Sequence, residues 1–277
     1  MSKINSLLVP TDFSSKSDIA IRYACEIASY TDAQILFMHV IEQPYDFPSR
    51  VEEVLESKKK ESADKLAKLI DGLHSTDEFR HIQMKGTVEV GNPSTMFVNA
   101  AKTGKFDMII VGLGGEHDLK KALYGSITNN ILLESPIPVF AISKRIDYRQ
   151  PKQLFFATAL REQDIKPIKQ MKKLSIELGV KLRLIHIVEN KGKREEKGKK
   201  FLKKLQKELN DSQLKIEFYE DKSFFEGITR LIGGDQHTIL VTTRYKKRFM
   251  EWLITRSNAR VLAQIVAVPL IMIPNDE

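Results

Sequence analysis

The segment "IIVGLGGEHDLKKALYGSITNN", Ile109 to Asn130, gathers residue types that hold a charged ligand rather than attack one. Gly112, Gly114 and Gly115 close an apolar, β-branched run, and Gly125-Ser126 follows a stretch containing Lys120 and Lys121. A main chain bare of side chains lets backbone N–H groups approach phosphate oxygens closely. Gly125-Ser126 opens a helical pattern, "SITNNILLES", whose unpaired N–H groups and positive dipole end favour an anion. The hydroxyls of Ser126 and Thr128 add donors. The chemistry expected is a polyphosphate held between Gly112–Gly115 and the helix start. Glycines alone suit any strand-to-helix turn, so their spacing must carry the distinction. G-x-x-x-x-G-K-[ST] is absent, because Gly104-Lys105, Gly192-Lys193 and Gly198-Lys199 are each followed by another residue type. G-x-G-x-x-G fails because its third glycine falls on His117.

The elements that position this segment alternate between strands and helices. Ile4 to Val9, Ile35 to Val40, Ile82 to Val90, Phe106 to Val111 and Pro138 to Ile142 are short apolar or β-branched runs. Between them, Ile19, Tyr23 and Ile27 recur at helical spacing and predict one apolar stripe. Val51, Val54, Leu55, Leu66, Leu69, Ile70 and Leu73 predict another on a longer helix, and Asn92-Pro93 supplies an N-cap and first helical residue. Alternation implies parallel strands joined by right-handed crossovers, with helices on both faces. Ligands of such sheets sit outside the C-terminal strand ends, where the strand order reverses, and Gly112 lies on that rim.

The pattern occurs twice. "LLVPTDF" (Leu7 to Phe13) returns as "LFFATAL" (Leu154 to Leu160), and "ILFMHVIE" (Ile35 to Glu42) as "LRLIHIVE" (Leu182 to Glu189), both at an offset of 147. "SPIPVFAIS" (Ser135 to Ser143) returns as "IVAVPLIMI" (Ile265 to Ile273), with Pro138 opposite Pro269 at an offset of 131. The fall in offset means that the second copy is shorter in its middle. Two domains are expected, residues 1–146 and 151–277, joined by the polar "RIDYRQPK". The expected fold is α/β: two tandem doubly wound domains, each a five-stranded parallel sheet flanked by helices.

The first copy resembles the universal stress protein family, and the whole chain its tandem two-domain form. Nucleotide-binding members carry G-x-x-G, nine residues, then G-[ST]; Gly112, Gly115 and Gly125-Ser126 match in full. "SLLVPTDFSSKSDIAIRYACEIA" is similar to the family's first strand, acidic turn and first helix. The resemblance implies a sheet ordered 3-2-1-4-5 and an adenine nucleotide, ATP or another, arriving with Mg²⁺. It implies that Asp12 contacts the nucleoside with Pro10 and Thr11 beside it, and that the Val40 backbone meets the adenine edge. Val111, Gly112, Gly115, Gly125, Ser126, Ile127 and Thr128 match the ribose and phosphate loop. The family often places a polar pair between its first two glycines; here they are Leu113 and Gly114. It also implies that the two domains pair as an internal pseudo-dimer through "SPIPVFAIS" and "AVPLIMIP"; association of two chains as a homodimer stays open.

The second copy lacks these features. Ala159 stands opposite Asp12, and "VTTRYKKRFMEWLITRSNA" contains no glycine. One nucleotide site per chain is therefore expected, with a role in stress response or signalling through an unidentified protein partner. Arg244 and Lys246 offer phosphate contacts only through side chains. Catalysis is not expected, since no His/Cys/Asp/Glu cluster has zinc spacing, no nucleophile elbow occurs and His117 reads as a solvated loop residue. Slow ATP hydrolysis stays open.

Charge raises a different possibility. The chain has a net charge of +8 with 44 Lys+Arg against 36 Asp+Glu, yet residues 1–150 carry 18 against 20. The excess lies in the second copy, in "KGKREEKGKKFLKKLQK" (Lys191 to Lys207) and "RYKKR" (Arg244 to Arg248). The plainer reading is a solvated helix face; the alternative is an adaptor meeting an acidic partner or nucleic acid, with nucleic acid the less favoured. No apolar run has membrane-spanning length, no secretion signal is seen, and Cys25 alone cannot form an internal disulfide. A reducing cytoplasm is the expected compartment.

Overall fold

The computed structural model describes residues 3–42, 51–113, 127–143, 146–188, 195–233, 235–244 and 268–274. The chain divides after residue 144 into two compact units. In the first, β1 (Ser6–Pro10), β2 (Gln34–Ile41), β3 (Met84–Val90), β4 (Met108–Leu113) and β5 (Val139–Ser143) alternate with α1 (Ser15–Thr31), α2 (Val51–His74), α3 (Pro93–Lys102) and α4 (Ile127–Glu134). The strands lie side by side as β3-β2-β1-β4-β5, all parallel. Chain travel reverses after β3, so right-handed crossovers put α1 and α2 on one face and α3 and α4 on the other. Leu7, Leu8, Ile109, Ile110 and Phe140 have no exposed surface, as central strands covered on both faces require.

The second unit repeats this plan. It contains β6 (Gln153–Ala157), α5 (Ile165–Glu177), β7 (Lys181–Val188), α6 (Glu195–Leu209), β8 (Ile216–Glu220), α7 (Phe224–Ile232), β9 (Thr238–Arg244) and β10 (Leu270–Pro274). Its order, β8-β7-β6-β9-β10, is the first unit's order shifted by five. Both offsets hold in the hydrogen bonding. Thr11 N–H donates to Met38 O as Thr158 N–H does to Ile185 O, and Ile109 N–H donates to Pro138 O as Leu240 N–H does to Pro269 O. Among the described residues no helix is long and apolar enough to cross a membrane.

Local signals explain the helix ends. Asn92 Oδ1 caps α3 by accepting from Thr95 N–H at 3.1 Å, with Pro93 at the first helical position. Gly233 closes α7 in the left-handed conformation, φ 56°. Three expectations need correction. The strands begin later than their apolar runs, at Ser6 rather than Ile4 and at Met84 rather than Ile82. The stripe on α1 is too narrow a description, because Ala20, Ile21, Ala24, Cys25 and Ala28 are buried with Tyr23 and Ile27, while Ile19 is only half-buried. On α2, Leu66 is buried but Val54 is 43% exposed. A helix of 24 residues spans about 36 Å and the seven-residue β3 about 23 Å, so the apolar stripe of α2 outruns the strand beneath it.

Candidate functional site

The reversal of strand order sets the ends of β1 and β4 side by side. The register pairs Leu8 with Ile109; continued along the strands, it brings Thr11 beside Gly112. Pro10 ends β1, and without an N–H it cannot extend the hydrogen-bonded pairing with β4 beyond Leu8 and Ile109. On the other side of β1, the Thr11 carbonyl accepts from His39 Nδ1 at 2.8 Å. Val40 follows His39 on β2, is buried, and pairs with Glu89 of β3.

Asp12 projects from the turn between β1 and α1. Its Oδ1 accepts from Ser14 N–H at 3.0 Å, Ser14 Oγ at 2.5 Å and Ser17 Oγ at 2.9 Å. Burial opposes its ionisation, yet these hydrogen bonds outweigh it and hold the carboxyl below the ordinary carboxylate pKa. Asp12 is therefore an anion at neutral pH. Among the described residues no donor reaches its Oδ2, which leaves one strong acceptor at an exposed position. Phe13 takes a left-handed conformation, φ 60°, steadied by its N–H donating to Thr11 Oγ1.

Gly112 meets the first turn of α1. A side-chain carbon there would lie 1.9 Å from the carbonyl oxygen of Lys16, so the close approach of helix and strand demands glycine. Val111 before it is buried and paired with Ala141. Thr128, in the first turn of α4, donates its hydroxyl to Gly112 O at 3.2 Å and ties that helix to the end of β4. Ile127 is 41% exposed at the helix start. Gly115, Gly125 and Ser126, with Gly114, His117, Lys120 and Lys121, lie outside the described residues. Pro10, Thr11, Asp12, Val111, Gly112 and Thr128 thus meet on one rim, joined by Ile127 and, through β2, Val40. Ser14 and Ser17, the donors that hold Asp12, are the neighbours that the sequence reading missed; the hydroxyl-rich "TDFSSKS" at a helix start was the available signal.

The second unit fills the same rim. Ala159 replaces Asp12, Thr243 of β9 stands at the place of Gly112, and Asp164 at that of Ser17. Asp164 is fully buried. Its Oδ2 accepts from Thr158 Oγ1 at 2.6 Å and Ala159 N–H at 2.9 Å, and its Oδ1 from Thr243 Oγ1 at 3.2 Å. The residues matching the start of α1, Glu162–Asp164, form a 3-10 turn instead. Leu160 keeps the left-handed conformation of Phe13, φ 57°, and His186 Nδ1 keeps the bond to the Thr158 carbonyl at 2.6 Å. The histidine contact therefore belongs to the turn in both copies. Among the described residues no group of three or more His, Cys, Asp or Glu could hold a metal ion.

Comparison with known proteins agrees with this architecture. Universal stress protein MJ0577 of Methanocaldococcus jannaschii is 24% identical over 153 residues, covering 50% of this chain and 94% of its own. Universal stress protein MJ0531 of the same organism is 25% identical over 145 residues, 50% of this chain and 81% of its own. A solved universal stress protein from Archaeoglobus fulgidus superposes over 99% of this chain and 97% of its own, with a TM-score of 0.72 at 16% identity. The model of the universal stress protein family matches residues 3–143, and the chain belongs to that family.

Proposed function

We propose that the first unit binds an adenine nucleotide, ATP carried with Mg²⁺ in the leading form, and that the second unit has no equivalent site. The observation that carries this reading is the contrast between the rims. The first has an ionised Asp12, one of whose oxygens has no donor among the described residues, beside a bare Gly112; the second has Ala159 and a Thr243–Asp164 pair. Asp12 is suited to accept from ribose hydroxyls, and the Val40 main chain to meet the adenine edge. Gly112, Gly115, Gly125, Ser126, Ile127 and Thr128 would carry the ribose and phosphates, to which a bound Mg²⁺ supplies charge neutralisation. His39 is the described histidine nearest the rim, and its bond to Thr11 recurs in the filled copy, so it serves the fold. The protein then acts by holding nucleotide and presenting an occupancy-dependent surface to a partner, not by rapid turnover.

Calorimetric titration of nucleotide-stripped full-length protein with ATP and Mg²⁺ tests this. One site per chain is expected, abolished by Gly115→Val and weakened by Asp12→Ala, with no burst of phosphate release. Two equal sites, or binding that survives Gly115→Val, would overturn it.

A further inference from the structure

The excess positive charge of the chain is organised by α5 and α6. Gly198, Phe201 and Leu205 of α6 are buried, and Gly198 sits so near Phe218 of β8 that a side-chain carbon would lie 2.3 Å from its ring. That contact fixes which way α6 faces. Three ion pairs link α6 and the turn after it to α5 and the turn before it: Lys169 with Glu208, Lys172 with Asp211 at 3.0 Å and Lys204 with Glu162 at 2.6 Å. These pairs engage Glu208, Asp211 and Glu162, while Glu196 stays exposed at the start of α6. Lys199, Lys200, Lys203 and Lys207 remain exposed and make no ion pair among the described residues. Lys199, Lys203 and Lys207 stand four residues apart, one row with a step of about 6 Å and a span of about 12 Å. One strand of a duplex carries roughly four phosphates over that length.

We infer that this lysine row is a sequence-independent contact surface for the phosphate backbone of duplex nucleic acid. Protein partners draw affinity from aromatic, methionine and arginine anchors and avoid lysine at the interface core. The row offers none of those anchors. A membrane-surface helix needs an apolar face free to insert, and that of α6 is committed to the sheet. A phosphate backbone needs only charge at suitable spacing, which lysine supplies as a point charge without base readout.

The test is fluorescence anisotropy of the full chain with a labelled mixed-sequence duplex of about 20 base pairs, across a salt series starting near about 50 mM. The quadruple variant Lys199→Gln, Lys200→Gln, Lys203→Gln, Lys207→Gln is compared with one of equal charge loss in the first unit, Lys58→Gln, Lys60→Gln, Lys68→Gln, Lys85→Gln. Binding is expected to weaken steeply with salt, and the α6 variant should lower the log–log slope by about 3 to 4 while the control keeps it. Equal losses in both variants, absence of duplex binding at the lowest salt, or tighter binding of poly-glutamate or phosphatidylserine vesicles than of duplex would each overturn the inference. ATP titration of the α6 variant should be unchanged, which separates this surface from the nucleotide rim.

Discussion

A side-chain carbon on Gly112 would lie 1.9 Å from the carbonyl oxygen of Lys16, inside any van der Waals contact. The obstacle is helix backbone, which cannot swing away as a flexible side chain does. Gly112→Ala should therefore destabilise the ligand-free protein by about 1–3 kcal/mol, the usual range for overpacking, with the rigid neighbour favouring the upper end. Urea denaturation without nucleotide measures this. A midpoint equal to the native one would show that α1 stands further from β4 than described, and that Gly112 is bare for ligand alone.

Asp12 gives the rim a pH signature. Its folded pKa lies below that of an unfolded aspartate, about 3.9, because hydrogen bonds from Ser14 and Ser17 outweigh the cost of burial. A depressed carboxyl pKa stabilises the fold fully above the unfolded value, and that contribution vanishes as pH falls through the folded value. Asp12→Asn keeps a hydrogen-bond acceptor but removes the titration. The stability gap between native and Asp12→Asn protein should be wider at pH 7 than at pH 3, read from urea midpoints at both. A gap independent of pH would mean that the carboxylate is not held by these donors.

Much of the fold was legible because its signals are local or periodic. Asn92-Pro93 declares a helix start in two residues, and the "PTDF" and "ATAL" segments, identical only at Thr11 and Thr158, share the backbone hydrogen bond made by that threonine. Positions that depend on a distant partner were hidden. Gly112 reads as a phosphate glycine until Lys16 is placed against it. Ala159 reads as simple loss of Asp12, while the acidic residue of the second turn stands five positions later at Asp164, turned inward. Periodicity overstated the burial of Val54 because it records the face of a helix and not the length of the strand below.

The inward carboxylate makes the second rim a structural joint. Asp164→Ala would leave the hydroxyls of Thr158 and Thr243 and the Ala159 N–H without their acceptor. Unsatisfied buried groups cost about 1–3 kcal/mol each, so a loss of at least about 2 kcal/mol is expected, with some recovery in Asp164→Ser/Thr243→Gly, which restores the first copy's residues. Nucleotide titration of Asp164→Ala at a temperature where it is folded should match the native protein. A lowered stoichiometry would instead place a ligand contact in the second unit.

Cys25 provides a reporter for α1, the helix that begins at the rim. It is fully buried, and burial pushes its thiol up to about 12, with Arg22 opposing and Glu26 and Glu78 adding to the rise. At pH 8 only about one thiol in ten thousand would be thiolate, so a disulfide reagent must wait for α1 to open. Labelling should be slow in native buffer and fast in denaturant. If opening α1 also dismantles the rim, nucleotide at 100 times its Kd should slow labelling by roughly 100-fold. Slow labelling unchanged by a nucleotide that calorimetry shows to be bound would detach α1 from the site. Fast labelling of the native, ligand-free chain would mean that the helix carrying the Asp12 turn opens locally, and that nucleotide closes a rim otherwise only partly formed.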